Sequence, residues 1–147
     1  MRRLQAPCLV FCAAAVFALG GCGEGGAQSG ATVSVYVASA LCGEAQQSEG
    51  EVADLEVRTV CLPPAKRGGD VDLAVAGANA RRVTEDSTSV ALLEAPGPAA
   101  EFSQPIVEAA DIAWVETSSG ATAMRRVLAG LEGESSTPRQ AVLDEVG

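Results

Sequence analysis

The chain has 147 residues, which suits one domain of ordinary size, and it carries a net charge of −9 with only 3% aromatic residues. This composition argues against a phosphate-binding surface and against a base-stacking platform, so we expect no nucleic-acid partner. The absence of histidine excludes Ser-His-Asp and Cys-His catalysis and His-ligated metal sites, and we expect no enzyme activity, metal or cofactor.

The N-terminal residues have the pattern of a bacterial export signal. Arg2 and Arg3 precede the apolar run Cys8–Leu19, which is too short to span a bilayer, and the run leads into Leu-Gly-Gly-Cys. This ending resembles a lipobox, in which Cys22 would become the lipidated first residue, so we expect an exported protein anchored to the cell envelope on its extracytoplasmic side. The alternative is an uncleaved anchor or a chance apolar start. The predicted segments are a lipoprotein signal peptide at 1–21, a flexible Gly-rich tether at 22–30 and a folded domain at 31–147.

Removal of the signal peptide would divide the five cysteines by role. Cys8 and Cys12 would leave with it, Cys22 would carry the lipid, and Cys42 and Cys61 would remain in the folded domain. Two cysteines in an exported domain favour a disulfide, with two buried free thiols as the alternative. Cys42 follows the first predicted strand and Cys61 lies near the end of the second. Adjacent parallel strands lie about 4.8 Å apart, which would bring the two within bridging distance.

The first part of the folded domain contains two predicted strands. Ala31–Ala38 and Asp54–Leu62 both alternate apolar and polar residues, and Pro63-Pro64 ends the second. Between them, Ser39–Glu51 is poor in apolar residues, so any helix there is short. Lys66–Gly69 is predicted as a loop, and Asp70 or Asp72 can cap the helix that follows.

The second part alternates helices and strands. The predicted helices are Asp72–Asp86, Glu101–Ala110, Ala121–Glu132 and Arg139–Val146, and the strands are Ser89–Leu93 and Ile112–Val115. The apolar faces expected on the first two helices consist of Leu73, Ala76, Ala80 and Val83, and of Phe102, Ile106, Val107 and Ala110. Pro105 requires the second helix to start near Ser103 or to bend. Asp111 occupies the turn into the last strand and tolerates a left-handed backbone.

Continuous apolar strands between amphipathic helices are typical of a parallel sheet that is covered on both faces. We therefore predict an α/β fold, a three-layer αβα single lobe with a four- or five-stranded, mostly parallel sheet.

A family resemblance lies in the same region. Residues 78–93 read ANARRVTEDSTSVALL and, after a loop containing Pro and Gly, residues 102–120 read FSQPIVEAADIAWVETSSG. This pattern resembles the type I periplasmic substrate-binding proteins of ABC transporters, whose best-known members bind branched-chain amino acids. AMRRVLAGLE followed by PRQAVLDEV resembles the C-terminal part of such a protein, which returns to the first lobe. Over Thr32–Val146, the resemblance implies half of a type I binding protein, with the middle, ligand-closing lobe absent. A generic α/β lipoprotein is the alternative.

Ligands of open parallel sheets bind outside the carboxyl ends of the strands, here the loops Ser39–Gly43, Glu94–Ala100 and Glu116–Gly120. The resemblance implies a first ligand loop at Ala99 and Ala100 and a second at Thr117, Ser118 and Ser119. The hydroxyls of the second loop and the following helix N-terminus could receive a carboxylate. Ordinary capping of that helix is the alternative.

Three further residues near these loops have two interpretations each. Glu94 and Glu116 could receive a ligand ammonium or form a carboxylate pair, and the simpler expectation is solvated charges at the rim. Trp114 is most simply explained by packing in the core or at an interface.

The sequence therefore predicts a lipid-anchored, substrate-binding-like protein of ABC transporter type that binds a small, polar, amino-acid-like solute non-covalently. The alternative is a lipoprotein interaction module that keeps the scaffold and binds another envelope protein. Possible partners are the solute, an ABC permease or envelope protein, the membrane through the lipid, and a second copy of the chain.

Overall fold

A computed structural model describes residues 30–146 of the chain. The predicted signal peptide, the lipidation site Cys22 and the rest of the tether before Gly30 lie outside the described residues. The described part forms seven strands and five helices. In chain order these are β1 (Thr32–Ala38), α1 (Cys42–Gln46), β2 (Gly50–Val52), β3 (Leu55–Leu62), β4 (Lys66–Arg67), β5 (Asp70–Val71), α2 (Leu73–Glu85), β6 (Ser89–Glu94), α3 (Pro98–Glu108), β7 (Ala113–Glu116), α4 (Gly120–Leu131) and α5 (Pro138–Val146).

The central sheet has five strands in the order β2-β3-β1-β6-β7. β1 pairs in parallel with β3 on one side and with β6 on the other, and β7 pairs in parallel with β6. Only the short strand β2 at the described sheet's edge runs antiparallel, against β3. The predicted α/β fold with a mostly parallel sheet is confirmed.

Helices cover both faces of the sheet, because each central strand has apolar side chains on both sides. On β1, Val33, Val35 and Val37 belong to a cluster completed by residues of α1, α4 and α5. Tyr36 belongs to a second cluster, which contains Ala80 of α2 and Val107 of α3. The molecule is therefore the three-layer αβα lobe that the alternating pattern predicts.

Most of the local expectations are confirmed. Asp72 caps α2, where its carboxylate accepts hydrogen bonds from the backbone N–H groups of Ala74 and Val75 at 3.1 and 3.2 Å. Asp111 adopts a φ of 53°, the left-handed conformation that the turn into β7 requires. The segment after β1 forms only the five-residue helix α1 and the edge strand β2, which was not predicted.

The start of α3 corrects one prediction. The helix begins at Pro98, ahead of both Glu101 and Ser103, because Gly97 takes a φ of 146° that other residues rarely adopt. Helix α3 then continues through Pro105, which lies on the exposed face, where water can hydrate the carbonyl group that a proline leaves unbonded.

The apolar faces predicted on α2 and α3 are confirmed except at one residue each. The inward residues are Ala76, Ala80 and Val83 on α2 and Val107 on α3, with Ile106 and Ala110 partly buried beside it. Leu73 and Phe102 were assigned to apolar faces, but they are 48% and 39% exposed. The helices pack side by side, and a Cβ at Gly77 would lie 3.4 Å from the Phe102 ring. Phe102 thus covers its neighbour helix instead of the sheet, and Ser103 takes the inward position.

The segment predicted as a loop at Lys66–Gly69 begins a hairpin. Lys66 pairs with Val71 and Arg67 with Asp70, so β4 and β5 are joined by the two glycines between them. Gly68 and Gly69 have φ values of 62° and 102°, the positive values that a two-residue hairpin turn demands.

Candidate functional site

A cleft of about 470 Å³ opens at the carboxyl ends of β1, β3 and β6. After β1 the chain continues to β3 on one side of β1, and after β3 it crosses to β6 on the other side of β1. The order of the strands therefore reverses at β1, and a crevice forms at the carboxyl end of the sheet at such a switch point. We call it the strand-end cleft. Its lining residues are Ala38, Ser39, Ala40, Leu62, Pro63, Pro64, Ala65, Lys66, Val71, Asn79, Glu94, Ala95, Pro96, Gly97, Pro98, Ala99 and Ala100.

One wall of the strand-end cleft is the β4–β5 hairpin, which contributes Lys66 and Val71. The hairpin is fixed at its base, since Asp72 donates its backbone N–H to Ala65 O over 3.0 Å. Asp72 also forms an ion pair of 3.2 Å with Arg67. Asn79 of α2 donates Nδ2–H to Pro63 O over 2.9 Å, which ties the end of β3 to the same wall.

The opposite wall is the Pro96-Gly97-Pro98 turn and the first turn of α3. Ala99 and Ala100, predicted as ligand-loop residues, belong to this helical turn and not to an irregular loop. Both line the strand-end cleft, Ala99 half-buried and Ala100 buried. Neither has a polar side chain, so a hydrogen bond from them to a ligand would have to come from the backbone N–H groups of this first turn.

The floor of the strand-end cleft carries a buried carboxylate. Glu94, the last residue of β6, is only 8% exposed. The expectation of a solvated rim charge is therefore wrong for Glu94, whereas Glu116, its register partner on β7, is exposed. Both predictions started from the same local pattern, a glutamate after an apolar strand. The difference arises because α3 covers the end of β6.

Two side chains donate hydrogen bonds to one oxygen of Glu94. The hydroxyl of Ser103 and Nε1–H of Trp114, the latter at 2.9 Å, both contact Oε2. Burial raises the pKa of the Glu94 carboxyl above its ordinary value and the charge of Glu116 adds to this, while the two hydrogen bonds act in the opposite direction. Trp114 is thus half-buried against the core, as expected, and also donates a hydrogen bond that holds Glu94 in place.

The other oxygen, Oε1, accepts no hydrogen bond from the described residues. Within residues 30–146, the buried side-chain atoms that lack a partner are Thr59 Oγ1 and Ser89 Oγ. Oε1 is not among them, so it keeps contact with solvent. Because Glu94 lines the strand-end cleft, Oε1 is a hydrogen-bond acceptor available to a ligand there.

The predicted second ligand loop does not line the strand-end cleft. Thr117 Oγ1 accepts from Ser119 N–H over 3.1 Å, and Ser119 Oγ caps α4 by accepting from Thr122 N–H over 3.4 Å. Ser119 Oγ also donates to Glu44 of α1 over 3.0 Å, and Ser118 is exposed. The structure therefore leaves Thr117, Ser118 and Ser119 out of the lining that contains Ala99 and Ala100, although Thr117 donates its backbone N–H to Glu94 O over 2.9 Å. It shows the capping that the sequence left as the alternative.

Cys42 and Cys61 are joined, with their Cα atoms 5.7 Å apart, as the sequence predicts. Cys42 begins α1 and Cys61 lies one residue before the end of β3. The closed loop, with a sequence separation of 19, corresponds to about 3 kcal/mol of stabilisation on the chain-entropy model. The bridge also joins two segments that line the strand-end cleft, since Ala40 and Leu62 are close neighbours of the two cysteines in sequence.

Sequence reasoning missed Ser103, Asn79 and Lys66. A signal for Ser103 was present: at helical spacing it lies between Ala100 and Val107, the other two buried residues of α3, so it is the polar member of an inward face. A polar residue in that position needs a partner, and the nearest strand end supplies Glu94. Asn79 and Lys66 had no comparable signal, because their positions depend on the hairpin.

A second polar cluster lies at the start of β6. Tyr36 OH donates to Asp86 Oδ2 over 2.8 Å, and Thr88 donates its N–H and its hydroxyl to Asp86 Oδ1 at 2.8 and 2.7 Å. Burial, together with the hydrogen bond and negative charge of Asp86, raises the pKa of Tyr36 to about 12. Burial would raise the pKa of Asp86 as well, but the hydrogen bonds from Thr88, Tyr36 and Ser34 outweigh it and lower that pKa. This cluster ties β1 to the α2–β6 turn.

None of the helices between residues 30 and 146 is long and apolar enough to cross a membrane. In the same residues, no group of three or more Cys, Asp or Glu side chains is placed to hold a metal ion.

Comparison with known proteins gave no match to a family model, to a curated protein or to a solved structure. The resemblance to the type I periplasmic substrate-binding proteins therefore stays a prediction that rests on the residues quoted above.

Proposed function

We propose that this chain is an exported, lipid-anchored protein that binds a small polar solute non-covalently in the strand-end cleft, in the manner of ABC transporter substrate-binding proteins. The observation that carries the proposal is the cleft itself, about 470 Å³ at the point where the strand order reverses. Ligand pockets of proteins measure about 300–1,000 Å³ and occur preferentially at such switch points of α/β sheets. Apolar walls with a few polar groups are also typical of such pockets.

Export and lipid attachment rest on the sequence pattern that ends at Cys22, with support from the pairing of Cys42 and Cys61. Disulfides persist in oxidising compartments outside the cytoplasm. The export signal pattern and the disulfide therefore both favour a protein of the cell envelope.

A single lobe covers a solute from one side only. A pocket that buries most of its ligand gains more contact area, so a one-sided cleft gives weak binding, and we expect dissociation constants on the order of millimolar. A second copy of the chain or an ABC permease could supply the other wall and raise the affinity. The solute would then lie between this chain and its partner and contact both.

The test is a thermal-shift screen of the chain carrying Cys22→Ser, which removes the proposed lipidation site. Amino acids, small amides, amines and carboxylates are added at about 10 mM, a concentration at which a millimolar ligand raises the free energy of unfolding by about 1.4 kcal/mol. At least one solute is expected to raise the melting temperature.

Two tryptophan variants locate the site. Ala40→Trp fills the strand-end cleft from an exposed position and should abolish the shift, whereas Ser118→Trp, exposed in the loop before α4, should preserve it. No shift with any solute in a folded protein would refute solute binding. A shift that only Ser118→Trp abolishes would place the site at α4 instead.

The alternative, an interaction module that binds another envelope protein, is favoured by one observation. Leu73 and Phe102 are the large hydrophobic residues exposed in the described part of the chain. They lie on neighbouring helices, since a Cβ added at Gly77, one helical turn after Leu73, would lie 3.4 Å from the Phe102 ring. A photo-crosslinker at Leu73 should then capture one defined envelope protein in cells. The control position is Arg125, exposed on α4 in the opposite helix layer.

A further inference from the structure

Two charged residues line the strand-end cleft, and they differ in how firmly they are placed. Lys66 is exposed on the hairpin, where its flexible side chain can extend into water. Glu94 is 8% exposed at the floor and is held by two hydrogen bonds on Oε2. The firmly held charged side chain of the strand-end cleft is therefore the negative one, Glu94.

We propose that the strand-end cleft binds an organic ammonium ion, a small amine with an apolar body whose positively charged group binds Oε1 of Glu94. The inference rests on the proposed function of the cleft and gives the chemical class of its ligand. It differs from the expectation that hydroxyls before α4 receive a ligand carboxylate, because those hydroxyls are not part of the cleft lining. There Ser119 Oγ caps α4 and Thr117 Oγ1 accepts from the Ser119 N–H.

Charge complementarity is the first argument. Ser103 and Trp114 already occupy Oε2, so Oε1 is the acceptor left for a ligand. A ligand ammonium group would supply both the missing donor and the missing positive charge, and such charge-assisted hydrogen bonds are the stronger kind. A ligand carboxylate would instead be repelled by Glu94, and the negative charge of Glu116, its register partner on the neighbouring strand, acts in the same direction. The net charge of −9 acts in the same direction, since it attracts cations to the protein.

The walls define the rest of the ligand. Alanine and proline side chains dominate the lining, so the body attached to the ammonium group should be apolar. Asn79 offers one further polar group. Its Nδ2 is used by Pro63 O, which leaves the amide oxygen as an acceptor for a second N–H of the ligand.

The test compares three probes of nearly equal size in isothermal titration against the chain carrying Cys22→Ser. The probes are n-butylammonium, 1-butanol and butyrate at constant ionic strength and at pH 8. We expect butylammonium to bind at least about tenfold more tightly than the other two. Glu94→Gln should reduce butylammonium affinity by about tenfold or more, whereas Glu116→Gln should change it by less than about threefold, as expected for an exposed charge.

The outcomes separate the two proposals. If butanol or butyrate binds as tightly as butylammonium and Ala40→Trp abolishes it, the ammonium assignment is wrong while solute binding in the cleft stands. If none of the probes and none of the wider solute panel binds to folded protein, both proposals fail. Butylammonium binding that survives Glu94→Gln unchanged also overturns the assignment.

A second measurement covers the case in which Glu94→Gln does not fold. Butylammonium affinity of the unsubstituted protein is titrated from pH 8 to pH 4, where the amine stays protonated. The affinity for butylammonium should fall as Glu94 takes up a proton. Glu116 and Lys66 are the other charged groups near the cleft. The variant Glu116→Gln should therefore show the same dependence of affinity on pH. An affinity that does not change with pH would contradict the proposal.

Discussion

The Ser103 hydroxyl on α3 donates a hydrogen bond to Oε2 of Glu94, the last residue of β6, and both side chains are buried. A buried carboxylate is costly unless it is paired with a cation or accepts hydrogen bonds. The ion pair found within residues 30–146 joins Arg67 to Asp72, so Glu94 depends on its two donors, Ser103 and Trp114. Removing either donor should therefore affect both the stability of the fold and the protonation of the carboxyl group.

The first prediction concerns Ser103→Ala. Loss of a hydrogen bond to a buried charged group costs about 1.5–3 kcal/mol, and we expect the free energy of unfolding to fall by that amount at pH 8. At pH 4 the cost should be smaller, because a protonated Glu94 needs the donor less. Urea unfolding at the two pH values measures both.

Gln104→Ala is the matched control for Ser103→Ala. Gln104 is the next residue of α3, and its amide donates to Glu108 over 3.0 Å at an exposed position. Its removal should cost about 0.5 kcal/mol or less. A loss for Ser103→Ala that is no larger than this, or that does not depend on pH, would show that the Ser103–Glu94 bond contributes nothing in solution.

The second prediction concerns Glu94 and the pH dependence of stability. Burial raises the pKa of Glu94 in the folded protein by more than the hydrogen bonds from Ser103 and Trp114 lower it, and the charge of Glu116 adds a smaller increase. A carboxyl whose pKa is raised on folding stabilises the protein most when protonated. This contribution is complete below the unfolded-state pKa and is lost as the pH rises through the folded-state pKa.

Urea unfolding between pH 4 and pH 8 tests this on the unsubstituted protein and on Glu94→Gln. The free energy of unfolding of the unsubstituted protein, minus that of the variant, should decrease as the pH rises, because Gln keeps a neutral side chain throughout. A difference that increases with pH would mean that the hydrogen bonds outweigh burial and that the pKa of Glu94 is lowered.

Glu94 also shows where sequence reasoning reached its limit. The pattern of apolar runs identified β1, β3, β6, β7 and the long helices, because burial on two faces of a parallel sheet imposes that pattern directly. A glutamate after an apolar run is ordinarily solvated, so the same reasoning placed Glu94 and Glu116 alike. Their difference comes from Ser103 and Trp114, which lie 9 and 20 residues further along the chain.

Only part of the strand-end cleft could be predicted, because the rest depends on contacts between residues that are distant in the sequence. The loops at the ends of β1 and β6 were expected to form a site, and both line the cleft. The hairpin wall was not expected, because two-residue strands leave no periodicity in the sequence. The assignment of Thr117 to Ser119 to a ligand loop stays a prediction based on resemblance, because capping of α4, which Ser119 provides, uses the same residue types as anion binding.

The third prediction concerns Tyr36, the one tyrosine of the protein. Its pKa is raised to about 12 by burial and by the hydrogen bond and charge of Asp86. Because the ultraviolet absorbance of an ionised phenol reports this residue alone, an alkaline titration measures the pKa directly. We expect a value near 12 in the native protein and near 10.0 in urea, and the stability linked to this group should be lost as the pH rises between these values.

Asp86→Asn is the control for this titration. It removes the negative charge and should lower the pKa of Tyr36, but burial should keep that pKa above the value in urea. If the pKa of Tyr36 in the unsubstituted native protein equals its pKa in urea, both the burial of the Tyr36 hydroxyl and its hydrogen bond to Asp86 would be contradicted.

The fourth prediction compares two helical glycines whose surroundings differ. A Cβ at Gly120 would overlap Leu41 O and lie 3.2 Å from Ala45 N, so α4 could not begin where it does without displacing α1. Backbone atoms cannot move aside as a flexible side chain can, and we expect Gly120→Ala to lower the free energy of unfolding by about 2–3 kcal/mol. At Gly77, in the middle of α2, the nearest atom would be Phe102 Cε1 at 3.4 Å, an ordinary contact.

Gly77→Ala therefore serves as the matched control, and its effect should have the opposite sign. Alanine is favoured over glycine inside a helix by about 0.5–1 kcal/mol, so Gly77→Ala should leave stability unchanged or raise it by up to that amount. Urea midpoints of the two variants, measured in the same buffer, give the comparison. Equal midpoints would mean that α1 and α4 are not in close backbone contact, which would also remove the support that α1 gives to the Ser39–Ala40 side of the strand-end cleft.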